Sequence, residues 1–484
     1  MSTTIRKLFI GGKWVDGASD ATFTSLNPST GDIVAVLTEG TPDDVDRAVR
    51  AARAVVPTLR NATVEQRGEW CEAVAEQLTL RLEPITKTLA AEQGKPYSTE
   101  ARGEVLTAIK GFCDAAGHAR HLEGATLASA DPNKRVMTRR APRGVYAVIT
   151  PWNFPVNIPT EYLGPALATG NAVVWVPAPT TSYVAVLMAE AFEAAGIPDG
   201  AINLVTGPGA VVGDAAVAHD GVDAVGFTGS TATGRIIASR GAGKPMLLEL
   251  GGNGPTIVLA DADLEAAAAA IASGAFLNAG QTCAATEVVL VERAAHDRLA
   301  ELIAKEAAKV VVGHPLEATT TMGPLNNEPT AAKTDAHIAD ATSRGATVAV
   351  GGGRLRELGS ELFYAPTLLT AVNVASDVVT HETFGPIVPL VPIDSIEEAL
   401  EVASQPQFGL ASSVWSSSAS KAFRIAENLR TGIVNINDSS TYWEIHIPFG
   451  GGSGTYSGLG RLGGMQTLLE MTEIKTITFD VTKF

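Results

Sequence analysis

Cys283 stands in the segment FLNAGQTCAATE, directly after an Ala-rich apolar stretch and a Gly-Gln-Thr lead-in. Upstream, MLLELGG places Glu249 among apolar neighbours. A cysteine supplied with a carboxylate suits covalent catalysis, because a thiolate attacks carbonyl carbon and a poorly solvated carboxylate takes up protons near neutrality. On its own spacing the cysteine reads more readily as packing, since free Cys behaves as a small hydrophobe. Asn153 lies in PWNFP (151–155), after the strand-like run GVYAVIT. Its aromatic and proline neighbours would hold it rigidly, and its amide can donate to a developing oxyanion. The same residue could simply satisfy a turn.

Two glycine-rich turns add a second kind of chemistry. Gly207, Gly209 and Gly213 follow AINLV, and Gly229-Ser230 with Gly234 follows AVGFT. A strand, a glycine turn and a helix start together offer free N–H donors to a pyrophosphate. The stretch ending Gly243-Lys244-Pro245 resembles a phosphate loop, but Pro245 stands where Ser or Thr is needed. None of the eight histidines falls into an HxxxH or Cys/His spacing, so no metal site is expected.

Elements that could position these residues follow from periodicity. Helical spacing covers 42–56 and 64–92, with Pro42 and acidic residues at a helix start. Short β-rich runs at 144–150, 172–177, 201–207 and 224–229 are separated in part by helical stretches at 182–195 and 210–218. After Leu250 a second alternation begins: PTIVLA, EVVLVE, TVAVGG, IVPLVPI and SSVWSS, with helices near 262–277, 295–310 and 395–403. Such alternation predicts parallel sheets faced by helices. Residues 122–143 read as turn and edge ribbon, and EIKTITFDVTKF reads as a strand without a partner nearby in sequence. Unpaired edges invite strand addition from another subunit, though a surface hairpin fits the same residues.

With 484 residues, 45% hydrophobic and 18% charged, the chain can bury large cores in two or three domains. A formal charge of −16 argues against a nucleic-acid partner. Three cysteines, Cys71, Cys113 and Cys283, cannot form a disulfide framework. No apolar signal segment opens the chain, and the stretch 264–279 is too short and too polar to span a bilayer. A cytoplasmic protein with no membrane partner is expected.

Taken together, PWNFP (151–155), GNAVVW (170–175), GFTGSTATGR (226–235), LELGGNGPTIV (248–258), NAGQTC (278–283), HETFGPI (381–387) and PFGG (448–451) resemble the aldehyde dehydrogenase superfamily in content, order and spacing. The resemblance covers almost the whole chain and displaces the packing reading of Cys283. It implies an α/β fold with a Rossmann-type cofactor domain (1–121 and 144–250) and a second α/β catalytic domain (251–446). Strands from 122–143 and 466–484 would form a small β oligomerisation ribbon, hence a homodimer or homotetramer.

The resemblance also implies a mechanism. Cys283 attacks the aldehyde, Asn153 and the Cys283 N–H hold the oxyanion, and Glu249 activates the water that releases an acid. NAD or NADP would lie along Ile149, Thr150, Pro151 and Trp152, near Val176, Phe227 and Leu250. The pyrophosphate would meet Gly229 and Ser230, the adenine side Gly209 and Gly213, and the nicotinamide end Glu382 and Phe384. Candidate substrate residues are Asn157, Glu161 and Tyr162 on the helix after PWNFP. The loop INDSSTYWEIHIPFGG adds Tyr442, Trp443, Glu444, His446 and Phe449, and is similar to loops of benzaldehyde- and vanillin-oxidising members. An aromatic or polar, hydroxylated aldehyde or semialdehyde is the expected substrate.

Departures from the pattern are specific. Val176-Pro177-Ala178-Pro179 replaces the Lys-Pro-x-Glu that usually holds the adenosine ribose, so NAD and NADP both stay admissible. Tyr162 replaces a common lysine and Leu462 a common glutamate, both near the general base, so its proton route differs here. CoA-acylating dehydrogenation is the alternative outcome, disfavoured by Glu249. An esterase or a structural oligomer without turnover is the non-redox alternative.

Overall fold

The computed structural model describes residues 4–405 and 407–483. Four of the β-rich runs become the parallel strands Val145–Thr150, Ala172–Pro177, Ile202–Leu204 and Ala224–Thr228, and Met246–Glu249 extends them. Their burial on both faces explains the near-continuous Val, Ala and Ile content. Across the sheet they stand in chain order third, second, first, fourth, fifth, the doubly wound arrangement. The N-terminal hairpin of Leu8–Ile10 and Lys13–Val15 closes one edge, antiparallel to Ile202–Leu204. The other edge is closed by Gly458–Leu459, two residues from late in the chain that the sequence pattern did not suggest.

The second alternation builds a seven-stranded sheet. Pro255–Val258, Val288–Glu292, Thr367–Thr370, Ile387–Ile393, Ala411–Trp415 and Ile433–Ile436 run parallel, and Thr347–Val350 joins antiparallel at an edge. Each sheet has its own core: Leu8, Val145, Trp175 and Phe192 lie in one, Ile257, Leu290, Val388 and Val414 in the other. Helices cover both. The helical stretch expected over 64–92 is two helices, Val64–Leu80 and Leu82–Gln93, because Arg81 between them leaves helical geometry (φ −105°, ψ 12°).

The C-terminal run finds its partner inside the chain. Thr472–Asp480 pairs antiparallel with Lys134–Pro142 along the full length of both, from Thr472 opposite Pro142 to Asp480 opposite Lys134, and Thr126–Leu127 adds a short third strand. The two strands come from distant parts of the chain, so no local pattern carries their pairing. Leu127, Met137, Ile474 and Ile477 remain exposed on this ribbon. Among the described residues no helix is long and apolar enough to cross a membrane.

Candidate active site

The first sheet reverses winding direction between Val145–Thr150 and Ala224–Thr228, and ligands of such sheets bind at the carboxyl ends flanking that point. One strand runs out into Pro151-Trp152-Asn153, the other into Gly229-Ser230. Ser230 caps the helix Thr231–Arg240, its hydroxyl oxygen accepting from the Thr233 N–H at 3.2 Å. The N–H groups before Thr233 have no acceptor within the helix and face the positive end of its dipole. Gly229 and Ser230 at this helix start border a cleft of about 650 Å³ whose walls include Trp152, Leu250, Lys333, Glu382 and Phe384, and which reaches Cys283.

Two carboxylates shape this side, Glu382 half-buried in the cleft wall and Glu287 buried behind it. Glu382 accepts from the Gly252 N–H at 3.0 Å. Burial raises its affinity for a proton, against the opposing pull of Lys333 and the Gly252 N–H. Glu287 accepts from the Thr383 and Phe384 N–H groups at 2.8 and 2.9 Å, which holds Phe384 in a left-handed conformation (φ 61°). The Phe384 ring then stands edge-on to Trp152, centroids 5.6 Å apart.

The remaining cofactor candidates sit deeper. Val176 is buried beside Ile149 in the sheet, and Thr150 accepts from the Trp175 indole N–H at 2.9 Å. Phe227 packs beneath the Gly229 turn, where a Cβ would come within 2.5 Å of its ring. The other glycine turn is built differently: Gly209–Gly213 is a π-turn leading into the five-residue helix Asp214–Ala218, with Gly213 packed near Ile149 and Gly209 exposed.

Cys283 is presented by a strained loop. Asn278, Ala279 and Gly280 all have positive φ (51°, 54° and 76°), and a non-glycine residue held there costs about 1–2 kcal/mol. The surroundings impose it. Glu100 accepts the Asn278 N–H on both oxygens (3.1 and 3.0 Å), and the Asn278 amide donates to the Asn153 carbonyl at 3.0 Å. Gly280 tolerates no Cβ, which would sit 2.2 Å from the Gly385 carbonyl oxygen. Asn153 in turn donates one amide hydrogen to the Gln281 carbonyl at 3.0 Å, leaving the other for the cleft it lines with Cys283. Burial pushes the Cys283 thiol up, and the charges of Glu382, Glu249 and Glu161 push it further the same way.

A second cavity of about 700 Å³ opens on the other side of Cys283. Cys283 and Thr228 line both spaces, so the sulfur sits where they meet. Phe154, Ile158, Leu277, Trp443, Phe449 and Leu462 make it apolar, and Asn157, Glu161, Glu249 and Thr282 make it polar at chosen points. The helix Asn157–Thr169 is buried throughout, and Glu104 caps its start by accepting from the Val156 and Asn157 N–H groups. Lys95, buried and paired with Glu104, sits 3.3 Å above the Phe154 ring. Asn157 donates to Glu161 at 2.8 Å, one helical turn on.

Glu249 is 2% exposed, and neither of its oxygens has a partner. Burial raises its pKa well above the carboxylate range, Glu161 adds to the rise, and Arg461 opposes it. The Leu462 N–H also favours the charged form but is committed to the Phe449 carbonyl at 2.9 Å. Tyr162 shares a hydrogen bond with Thr228 at 2.9 Å, and its phenol is held protonated by burial and then by Glu249.

The structure thus brings Cys283, Glu249, Asn157, Glu161, Trp443 and Phe449 around one cavity. Three loop candidates fall outside that wall. Tyr442, Glu444 and His446 are exposed: the Tyr442 hydroxyl donates to Glu444 at 3.3 Å, and His446 lies 3.5 Å from the same carboxylate. The reason is the turn between them, in which Trp443 points inward and bonds the Ile447 carbonyl at 2.8 Å. Sequence reasoning passed over Thr228, Thr282, Lys333, Glu100 and Glu287. Thr228, the last residue before the Gly229 turn, and Glu287, a lone acid opening an apolar run, carried usable signals; Lys333 carried none.

Comparison with known proteins agrees with this architecture. The model of the aldehyde dehydrogenase family matches residues 14–477. The α-ketoglutaric semialdehyde dehydrogenase of Bacillus subtilis (strain 168) is 37% identical over 448 residues, 92% of each chain. The crystal structure of succinate-semialdehyde dehydrogenase from Burkholderia pseudomallei superimposes with a TM-score of 0.96 at 37% identity, over 98% of both chains. Betaine aldehyde dehydrogenase from Staphylococcus aureus, solved with NAD+, gives 0.94 at 32% identity, over 98% of this chain and 95% of that one. The α/β fold, its doubly wound sheet and nearly full-length matches make one conclusion: the chain belongs to the aldehyde dehydrogenase family.

Proposed function

We propose that the chain oxidises an aldehyde to a free carboxylic acid with NAD or NADP, through Cys283, and that one observation carries this reading: the unpartnered Glu249 carboxyl shares a largely apolar cavity with Cys283. A CoA-acylating enzyme has no use for a hydrolytic base there. The cleft fits a dinucleotide by its donor set. Free N–H groups at the Ser230 helix start suit a pyrophosphate, and Glu382 suits ribose hydroxyls. Gly251 keeps the Glu382 carboxyl in place, since a Cβ there would meet its Oε2 at 2.8 Å. Phe384 and Trp152 supply flat walls for the nicotinamide end.

Cys283, as thiolate, adds to the aldehyde carbon; a C–S bond forms and the carbonyl oxygen becomes an alkoxide. The free Asn153 amide hydrogen and the Cys283 N–H donate to that oxygen. When bound, NAD or NADP supplies the hydride acceptor that turns this adduct into a Cys283 thioester. Glu249 then takes a proton from water as the water oxygen attacks the acyl carbon; the C–S bond breaks, the acid leaves and the thiolate returns. Burial and the Glu161 charge raise the Glu249 pKa, so its carboxylate forms at higher pH than an ordinary glutamate's and turnover rises with pH as it ionises. With Tyr162 bonded to Thr228 and an apolar Leu462, the route by which Glu249 sheds its proton passes through neither a lysine nor a glutamate at those positions.

The relatives' names span semialdehydes with a carboxylate and a betaine aldehyde with a quaternary ammonium. Here the apolar, aromatic-walled cavity supports an aromatic or hydroxylated aldehyde. The exposed apolar residues of the 126–142 and 472–480 ribbon support a homodimer or homotetramer, because an isolated ribbon of this size is marginal in water. Three free cysteines support a cytoplasmic setting.

The test is cofactor reduction, followed by absorbance of the reduced nicotinamide, with an aldehyde panel, NAD and NADP, with and without CoA. Turnover that requires CoA, or survives Cys283→Ser undiminished, would sink the hydrolytic mechanism. Sedimentation that finds only monomer would remove the oligomer.

A further inference from the structure

The cavity beyond Cys283 is unusual in the sign of what it lacks. Glu249 Oε1 and Oε2, Asn157 Oδ1 and Thr282 Oγ1 are all buried there without hydrogen-bond partners. Glu161 adds a second carboxyl, which spends one oxygen on the Asn157 amide. Asn157 Oδ1 can only accept, and the Glu249 oxygens accept whenever the carboxyl is ionised, the form its role as base requires. Among the described residues that line the cavity none is Lys, Arg or His. The nearby cations stay off the wall: Arg461 stands behind Gly450 and donates to the Gly460 carbonyl at 2.8 Å, and Lys95 is buried against Glu104. Asn157 and Glu161 sit at i and i+4 on one face of a buried, capped helix, so they form a fixed pair rather than a mobile surface group.

Buried polar atoms demand partners, and an acceptor-rich wall is satisfied by a donor from the ligand. A carboxylate brought into the same space loses its water, finds no cation on the wall, and is accommodated only if Glu249 or Glu161 stays protonated. It would also push Glu249 further toward its protonated form, just as Glu161 already does, and so oppose the hydrolytic step. Burial holds Glu161 itself up to about 8, which keeps this pair from presenting a full negative charge to a neutral ligand near pH 7.

We propose that this cavity selects aldehydes whose far end is an uncharged or cationic hydrogen-bond donor and rejects those ending in an anion, with Asn157 and Glu161 as the pair that reads the donor. The proposal rests on the reading of Cys283 as nucleophile, because that fixes which end of the substrate faces the pair. It separates this chain from an enzyme of carboxylate-bearing semialdehydes by the chemistry of its own wall.

The experiment is steady-state kinetics with two matched pairs, 4-oxobutanamide against 4-oxobutanoate and 3-formylbenzamide against 3-formylbenzoate, with benzaldehyde as an aldehyde bearing neither group. Ratios of kcat/KM within one preparation do not depend on the fraction of active enzyme, so partial misfolding of a variant leaves them readable. In the parent protein the amide is favoured over the carboxylate by about a hundredfold in both pairs, a range that hydrogen-bond and charge recognition reach. Glu161→Leu lowers that ratio by about tenfold, and Glu161→Lys reverses its sign by placing a cation on the wall. A carboxylate used as well as its amide, or ratios unmoved in both variants, overturns the proposal. Failure of every aldehyde, benzaldehyde included, to reduce either cofactor instead overturns the dehydrogenase reading beneath it.

Discussion

The two spaces that meet at Cys283 are built on different principles. The cofactor cleft is framed by main chain: two strand ends, a capped helix start, and loops whose N–H groups are pinned by Glu287 and Glu382. The second cavity, the proposed substrate space, is framed by side chains from a buried helix, the Cys283 loop, the strand end at Glu249 and the 441–462 region. Backbone frames tolerate many sequences, whereas a side-chain wall changes character with one substitution. The lesson is that shared chemistry belongs to the first space and individual specificity to the second.

Perturbing the junction has the largest effect. Cys283→Ala removes the proposed nucleophile, which lines both spaces, and lowers kcat/KM on the order of 10⁴-fold or more, while cofactor affinity, read by fluorescence titration, stays near the parent value. Next is Glu249→Gln, on the substrate side: steady-state turnover falls by about 10²- to 10⁴-fold, yet a single burst of cofactor reduction persists because the thioester still forms. Loss of the burst along with turnover would place Glu249 before the acyl step and blur the division.

A smaller effect tests the supports. Glu100→Ala strips the Asn278 N–H of its acceptor, at a cost of about 1.5–3 kcal/mol for a hydrogen bond to a charged group. It should lower the melting temperature and kcat together. Glu161→Gln sharpens the comparison through pH. Since Glu161 raises the Glu249 pKa, its neutralisation lets Glu249 ionise at lower pH, and the acid limb of kcat moves to lower pH. An unmoved or upward-shifted limb contradicts the coupling. Smallest is Ser230→Ala, which removes a helix cap worth about 1 kcal/mol. It weakens cofactor binding a few-fold, roughly what that energy allows, and leaves the substrate preference ratios untouched.

Much of the molecule was legible before any coordinates. The 144–150, 172–177 and 224–229 runs became parallel strands because runs buried on both faces carry their own signature. Gly229-Ser230 announced a strand-to-helix turn, and the ordered motifs announced the family. The failures have a common cause. Gly458–Leu459 joins the first sheet across two hundred residues, too short a strand to show a period. The 64–92 stretch broke at Arg81, where side-chain spacing continues but the backbone does not. Tyr442, Glu444 and His446 faced solvent because the turn around Trp443, not residue type, decides direction.

By itself the amino-acid sequence determined the class of fold, the family and the identity of the cysteine and carboxylates worth testing, since these are written in short motifs and local periodicity. Only the tertiary structure decided that Glu249 is left without a partner, that Glu100 and Glu287 hold the two loops at the junction, and that Asn157 and Glu161 face a cavity with no cation in its described wall. Burial and electrostatic environment are sums over neighbours brought from distant parts of the chain, and no local stretch contains that sum.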